Sequence, residues 1–335
     1  MSRKFKILSI DGGGIRGLIP AMFLEEIEKS LPEPIWKYFD LVCGTSTGGI
    51  IALAIAVEKK MSEIREIYEK DGYEIFPLEN KNNLIKSAIS NINMLFGHGE
   101  KYPSSFLEKK LKTVFKINDD YYRMNDSKLG VCIPSINISK GQVGIFKTPH
   151  KVVIPKKEKF FSDENLEMWN VARATSAAPT YFKTTKINSS FYIDGGLFAN
   201  NPSLVGIIEA RRCNFDLSEI SLLSLGTGGS TYQIDDKRAE KMNLLNWGGV
   251  KGIFEISLES QSNSIENSIS LLNPKEYIRV QHNFKENIGL DDMGQLNNLV
   301  KAAEYLIKEK KEQVLSSFFN DLAAGHLYPI KKEVK

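Results

Sequence analysis

The residue whose surroundings most clearly suggest chemistry is Ser46, in the segment GTSTGG at positions 44–49. A G-x-S-x-G pattern between an apolar strand and a helix predicts a nucleophile elbow, in which Gly44 and Gly48 let the backbone bend sharply. The helix that follows directs its N-terminus at the reacting carbonyl, where it favours a developing oxyanion. Ser46 is therefore the predicted nucleophile, although a tight turn with a capping serine fits the same residues.

A second glycine-rich segment, DGGGIRG at positions 11–17, also follows a predicted strand and opens a helix. Backbone N–H groups without side chains suit an anion, which could be a phosphate or an oxyanion. The spacing G-x-G-x-x-G also matches the dinucleotide-binding fingerprint. The acidic residue expected at the end of the second strand is missing, however, since Asp40 lies at that strand's start. Dinucleotide binding is therefore disfavoured.

A serine nucleophile needs a base, which is usually a histidine. The four histidines, at positions 98, 150, 282 and 326, have no motif around them. Asp194 follows a predicted strand and precedes Gly195 and Gly196, which would leave room around its carboxylate. Taken alone, the same aspartate is better explained as a turn residue that binds its own backbone. The base is either a remote histidine or a carboxylate.

The elements that must position these residues follow from apolar periodicity. A strand at 5–10 and a helix from Ile15 are followed by a strand at 39–43 and a helix at 50–57. Two successive strand–glycine turn–helix units predict an α/β fold with a largely parallel sheet. Further strands are predicted at 130–139, 143–146, 191–193, 220–225 and 277–280, and further helices at 165–177 and after Asn200-Asn201-Pro202.

No linker divides the chain, so a single domain is predicted over 1–335, with a motif-bearing core over about 5–229 and a mostly helical part over 230–335. The region 60–128 reads as helical and polar. Seven apolar residues within it recur on one helix face and predict a core-facing helix or, alternatively, a lid that faces lipid. They are Leu84, Ile85, Ala88, Ile89, Ile92, Leu95 and Phe96.

Composition limits the class of partner. The chain has 335 residues and a net charge of +3, which is too small to indicate nucleic-acid binding. It shows neither a signal peptide nor an apolar run of about 18 residues, so a cytoplasmic protein is expected, with peripheral membrane contact at most. A cluster of lysines beside Phe160-Phe161 is either a membrane-docking patch or a solvated charge run. The lysines are Lys151, Lys156, Lys157 and Lys159.

Three cysteines, Cys43, Cys132 and Cys213, lie in or beside apolar runs and are expected to be buried thiols in a reducing compartment. The acidic pairs Asp119-Asp120, Asp235-Asp236 and Asp291-Asp292 lack calcium-site spacing and are interpreted as solvated turns. Neither a metal nor a cofactor is expected.

Three motifs in order, DGGGIRG at 11–17, GTSTGG at 44–49 and DGG at 194–196, resemble the patatin-like phospholipase family. The segments 174–182, 200–202 and 224–228 are also similar to that family. The resemblance covers about residues 5–229 and is weaker at 290–292.

The resemblance implies a three-layer fold, in which a largely parallel mixed sheet is flanked by helices. It implies a Ser46–Asp194 dyad without histidine, an acyl-enzyme on Ser46, and an oxyanion hole from the N–H groups of Gly12, Gly13 and Gly14, supported by Arg16. Membrane glycerophospholipids are the implied substrates, met by peripheral contact. Activity should then fall as pH drops through the carboxylate's pKa, which is about 3.9 unperturbed and rises with burial.

Three alternatives remain. An α/β-hydrolase esterase would use the order Ser46, Asp194 and then His282 or His326, and one histidine would be essential. A sugar or acetate kinase of the actin-like fold would bind ATP at the glycine loops 11–13 and 226–229. A phospholipase effector of bacterial defence, similar to the same family, would need a cyclic nucleotide as a small-molecule activator. The oligomeric state is not predicted.

Overall fold

The computed structural model describes residues 4–77, 101–149, 163–230 and 249–327. Its strands are β1 (Phe5–Ile10), β2 (Leu41–Gly44), β3 (Lys116–Ile117), β4 (Asp120–Tyr121), β5 (Gly130–Asn137), β6 (Gln142–Lys147), β7 (Thr185–Ile187), β8 (Ser190–Asp194), β9 (Ile220–Leu225), β10 (Gly229–Ser230), β11 (Glu276–Val280) and β12 (Asn283–Phe284). Its α-helices are α1 (Leu18–Glu28), α2 (Thr47–Ala56), α3 (Met61–Glu69), α4 (Gly72–Ile75), α5 (Ser104–Val114), α6 (Met168–Thr175), α7 (Gly196–Ala199), α8 (Ser203–Arg212), α9 (Gly249–Leu272) and α10 (Leu296–Phe318).

A mixed sheet forms the centre of the fold, in the order β11-β9-β1-β2-β5-β8-β7, with β6 also paired to β5. Strands β11, β9, β1, β2 and β5 are parallel, whereas β6 and β8 run antiparallel to β5, and β7 runs antiparallel to β8. The central strand β1 is buried along its whole length, as expected for a parallel strand covered on both faces. The predicted α/β fold is confirmed.

Two apolar cores lie on opposite faces of the sheet. Because side chains alternate along β1, Leu8 and Ile10 belong to the larger core with α1, α2 and α10, whereas Phe5 and Ile7 belong to the smaller core with α8. The layers therefore follow from the burial of both faces of the sheet.

Strands β2 and β8 meet end to end beside β5. Cys132 of β5 pairs with Cys43 of β2 and with β6, and Ser135 of β5 pairs with Asp194 of β8 and with β6. Both β2 and β8 therefore lie on the side of β5 opposite β6. Since β2 runs parallel to β5 and β8 runs antiparallel, their C-terminal ends approach each other near Pro134.

Two smaller predictions concern the cysteines and an acidic pair. Cys43, Cys132 and Cys213 are buried free thiols, as predicted. Asp291 is not a solvated turn residue, and this prediction was wrong: its side chain is 6% exposed and accepts hydrogen bonds from Lys101 (2.7 Å) and the Tyr102 hydroxyl (2.8 Å).

The region 60–128 contains helices α3, α4 and α5, as predicted, together with an unpredicted hairpin of β3 and β4. The apolar stripe at 84–96, the lysine cluster at 151–161 and the acidic pair at 235–236 lie outside the described residues. Within the described ranges, none of the helices combines the length and apolar character that crossing a bilayer requires.

Candidate active site

Ser46 occupies a strained turn between β2 and α2. Its φ of 53° and ψ of −122° lie where non-glycine residues are rare, and such strain is characteristic of functional sites. Gly44 and Gly48 permit this turn by close backbone contact. A Cβ atom on Gly48 would lie 2.3 Å from the carbonyl oxygen of Ile10, and one on Gly44 would lie 2.1 Å from the carbonyl oxygen of Gly48. The N-terminus of α2 begins at the next residue, Thr47.

Thr175, the last residue of α6, fixes this turn from the side of β5. Its hydroxyl donates to the carbonyl oxygen of Pro134 (2.6 Å) and accepts from the N–H of Ser46 (3.0 Å). Its side chain is fully buried. Thr175 therefore fills the gap between the ends of β2 and β8, a role that the sequence analysis missed because it treated 174–182 only as a matching segment.

Asp194 ends β8 and is 2% exposed. Its carboxylate accepts hydrogen bonds from the Ser46 hydroxyl and from the N–H of Gly196, the latter at 2.7 Å. Burial raises the pKa of Asp194 to about 7, although both hydrogen bonds and the positive charge of Arg173 act in the opposite direction. Because this pKa lies near neutral pH, the carboxyl titrates in the physiological range, and in its ionised form it is placed to accept the Ser46 proton.

The glycine loop lines the same cavity as Asp194. Gly13 and Gly14 line the cavity together with Ser46, and in the described part of the chain their N–H groups have no acceptor. Gly12 differs, since its N–H donates to the carbonyl oxygen of Asn200 (3.0 Å). The predicted oxyanion-hole role therefore does not fit Gly12, whose N–H is already used within the fold.

An ion pair and a close backbone contact hold the glycine loop in place. Arg279 of β11 donates to both carboxylate oxygens of Asp11, at 3.0 and 2.6 Å. Gly14 has a φ of +56°, and a Cβ there would lie 2.2 Å from the carbonyl oxygen of Leu290. The N–H of Ile15 donates to that same oxygen (2.8 Å). Arg279 was not predicted as a site residue, although a charged residue within an apolar strand is a usable signal in the sequence.

Arg16 is buried at the end of the loop, and its N–H donates to the carbonyl oxygen of Gly13 (3.1 Å). Burial lowers the pKa of its guanidinium, against the opposing charges of Glu259 and Glu255. The direct link between Arg16 and the glycines of the loop is therefore a backbone hydrogen bond.

Beyond its polar end the cavity is apolar, with a volume of about 680 Å³ that includes space open to solvent. Helices α2 to α5 and α9 supply most of its wall. The apolar and aromatic lining residues are Ile15, Ile50, Ile67, Tyr68, Ile75, Phe76, Leu107, Ala178, Tyr181, Phe182, Phe254, Leu258 and Leu290. The sequence predicted helices over 60–128 but not their role in this wall.

The two described histidines lie away from the dyad. The ring of His282 packs on Phe284 and Tyr305, with centroid distances of 4.7 and 5.7 Å, and His326 stacks on Phe5 at 6.2 Å. Neither lines the cavity. His98 and His150 lie outside the described residues. The geometry does not support a triad with His282 or His326.

An elbow serine bonded to a carboxylate in a partly apolar cavity defines a hydrolytic serine enzyme, and comparison with known proteins gives the family. The profile of "Patatin-like phospholipase" matches residues 8–206. A Vibrio cholerae protein named "cGAMP-activated phospholipase" is 30% identical over 349 residues, which cover 95% of both chains. An Escherichia coli protein of the same name is 35% identical and covers 71% of this chain and 66% of its own length. This chain belongs to the patatin-like phospholipase family.

A solved structure gives a further comparison. VipD from Legionella pneumophila aligns with 95% of this chain and 67% of its own, with a TM-score of 0.46 and 14% identity.

Proposed function

We propose that this enzyme hydrolyses carboxylic esters of membrane glycerophospholipids, with Ser46 as nucleophile and Asp194 as base. The observation that carries the proposal is the hydrogen bond between the Ser46 hydroxyl and the Asp194 carboxylate at the polar end of an apolar cavity. A hydroxyl beside a carboxylate supplies a nucleophile and its base, and the apolar wall offers a place for an acyl chain.

The reaction has two halves. Ser46 Oγ attacks the ester carbonyl while its proton passes to Asp194, and the N–H groups of Gly13 and Gly14 stabilise the oxyanion. The C–O bond to the lipid alcohol breaks, the alcohol takes the proton from Asp194, and an acyl-Ser46 ester remains. Water then attacks this ester, Asp194 takes its proton, and collapse of the second oxyanion returns the proton to Ser46 and releases the fatty acid.

The lipid substrate is supported by the shape and chemistry of the cavity and by the printed names of the relatives. An acyl chain in contact with Phe76, Phe182 and Leu258 would be removed from water, which favours binding in proportion to the apolar area buried. The ester would then lie at the polar end, and the head group would remain outside. Such a substrate requires peripheral contact with a membrane surface.

Labelling with a fluorophosphonate tests the proposal. Wild-type protein, Ser46→Ala and Asp194→Asn are reacted, the adduct is mapped by mass spectrometry, and fatty-acid release from phosphatidylglycerol vesicles is measured. We expect the label on Ser46 only, slower labelling by about 100-fold or more in Asp194→Asn, and no fatty-acid release by either variant. Labelling of Ser46→Ala at the wild-type rate, or undiminished release by that variant, would contradict the proposal.

A second candidate concerns control of the same site by a nucleotide. The relatives with 30% and 35% identity are named for activation by cGAMP, and the first is aligned over 95% of its length. We propose on this ground that a cyclic dinucleotide activates this enzyme. Lipid hydrolysis is measured with and without cGAMP, and Ser46→Ala with cGAMP is the control. A large increase in the wild type alone is expected, whereas equal wild-type rates would contradict nucleotide control and leave the hydrolase proposal intact.

A further inference from the structure

Asn200, which follows α7, has a buried acceptor that the mechanism above does not use. The side chain is 5% exposed and lines the cavity with Ser46 and Asp194. Its Nδ2 donates to the hydroxyl of Ser262 in α9 (2.9 Å). Its Oδ1 is buried without a hydrogen-bond partner among the described residues. Buried polar atoms are nearly always paired, so this oxygen calls for a ligand or a water molecule.

The position of Asn200 Oδ1 relates it to both members of the dyad. A Cβ on Gly196 would lie 3.1 Å from Asp194 Oδ1 and 3.3 Å from Asn200 Oδ1. Both oxygens therefore border the space next to the Cα atom of Gly196. A Cβ on Gly12 would lie 2.4 Å from Asn200 Oδ1 and 3.3 Å from Ser46 Cβ. Asn200 Oδ1 therefore borders the same space as Asp194 Oδ1 and lies close to Ser46.

Ser176 adds a further polar group to the lining of the cavity. Ser176 Oγ also lines the cavity and is likewise buried without a partner in the part of the chain that the structure describes. A buried water needs two to four polar partners, and the carboxylate of Asp194 and the amide oxygen of Asn200 supply two of them. The amide is neutral, so it adds an acceptor beside Asp194 without the like-charge repulsion that a second carboxylate would bring.

We propose that Asn200 Oδ1 orients the water that hydrolyses the acyl-enzyme, and the proposal rests on the function proposed above. One hydrogen of this water is donated to Asp194 and the other to Asn200, so that an oxygen lone pair faces the acyl carbonyl carbon. The new C–O bond forms as the first proton moves to Asp194. The C–Oγ bond then breaks, and Ser46 recovers that proton. Attack by Ser46 in the first half needs no such water.

Pre-steady-state kinetics with a p-nitrophenyl acyl ester separate the two halves. In Asn200→Ala we expect the burst of p-nitrophenol, which reports acylation, to keep its rate within about twofold. Steady-state turnover should fall by about tenfold or more, and acyl-Ser46 should accumulate in the intact mass spectrum. Hydroxylamine, a stronger nucleophile than water, should restore turnover more in Asn200→Ala than in the wild type.

Two further variants make the outcome specific. Asn200→Asp keeps an acceptor oxygen and adds a charge beside Asp194, so it should retain deacylation while moving the pH limb of turnover upward. Asn201→Ala changes the neighbouring buried asparagine, whose Oδ1 accepts from the N–H of Ser203 (3.0 Å), and should leave the ratio of burst rate to turnover unchanged. Melting temperatures of all variants identify any that fail to fold.

The result that overturns this proposal is an equal loss of burst and turnover in Asn200→Ala, or loss of turnover in Asn200→Asp at every pH. A wild-type enzyme that neither shows a burst nor forms an acyl-Ser46 adduct would instead overturn the hydrolase function, and this inference with it. The two failures are therefore distinguishable, since only the second appears in the wild type.

Discussion

In the proposed mechanism the Asp194 carboxyl is the catalytic base, and its ionisation sets the pH response of the site. Its pKa is raised to about 7 by burial, and the reaction requires the ionised form. Activity on a soluble ester should therefore rise with pH along a single limb centred near pH 7. A profile of kcat/KM from pH 5 to pH 9 measures this limb, which reports the free enzyme.

A histidine base would titrate in the same range, so the position of the limb does not by itself identify the base. Substitution distinguishes the two. His282→Ala and His326→Ala should keep both the limb and the rate, because neither ring lines the cavity. His98→Gln and His150→Gln complete the set. A limb that vanishes in any one of these variants would refute the dyad.

At the scale of elements, the site depends on the end-to-end approach of β2 and β8 along β5, with Thr175 in the gap. Thr175→Val keeps the shape of this side chain but leaves the N–H of Ser46 and the carbonyl of Pro134 without their partner. We expect kcat to fall by about 10- to 100-fold with little change in KM, because the nucleophile loses its fixed position. The free energy of unfolding should decrease by about 1–3 kcal/mol.

Steady-state kinetics and denaturant titration check both parts of this prediction. Thr175→Ser is the matched control, since it keeps the hydroxyl and should retain most of the activity. If Thr175→Val had wild-type kcat, the hydrogen bond from the N–H of Ser46 would have no part in positioning the nucleophile.

Local sequence patterns predicted the individual helices and strands, but they did not predict which of these elements lie next to each other in the fold. The apolar run at 5–10, the glycine turns after β1 and β2, and the strand at 220–225 each carry their own signal within a few residues. The direction of β8 depends on its antiparallel pairing with β5, which joins residues about 60 positions apart along the chain. Ser46 and Asp194 could therefore be proposed as partners only by resemblance, because no local pattern brings their strands together.

The contacts that the sequence analysis missed are also long-range. Arg279 and Asp11 are 268 residues apart, and the N–H of Gly12 is occupied by a carbonyl from the segment after β8. A run of glycines indicates exposed N–H groups, but it does not show which of them the fold itself uses. The same limit applies to Asn200, whose role depends on Ser262 in α9.

For the whole molecule, ionisation of the buried Asp194 carboxyl destabilises the folded state, although the proposed mechanism requires the ionised form. Its pKa is about 7 in the folded chain against 3.8 unperturbed, so between these values the folded state holds a proton that the unfolded state has lost. Stability therefore falls as pH rises from about 4 to about 7, and it is constant above that range as far as this group is concerned. At pH 8, where the carboxylate is ionised, the whole of this destabilisation is present.

The substitution Asp194→Asn removes both this destabilisation and the proposed catalytic base. We expect the variant to be inactive and to melt about 2–8 °C above the wild type at pH 8, because a neutral amide is buried more easily than a carboxylate. The difference should shrink steadily toward pH 4, where the wild-type group is protonated in the folded state and about half protonated in the unfolded state, whose pKa is 3.8. Differential scanning calorimetry across this pH range measures it.

Ser46→Ala is the control that separates inactivity from stabilisation. It also abolishes catalysis, but it removes a hydrogen bond that stabilises the carboxylate and should therefore show no gain at pH 8. A melting-temperature difference between Asp194→Asn and the wild type that is the same at pH 4 and pH 8 would mean that Asp194 does not titrate in this window. The base would then be ionised throughout, and the activity limb near pH 7 would have to belong to another group.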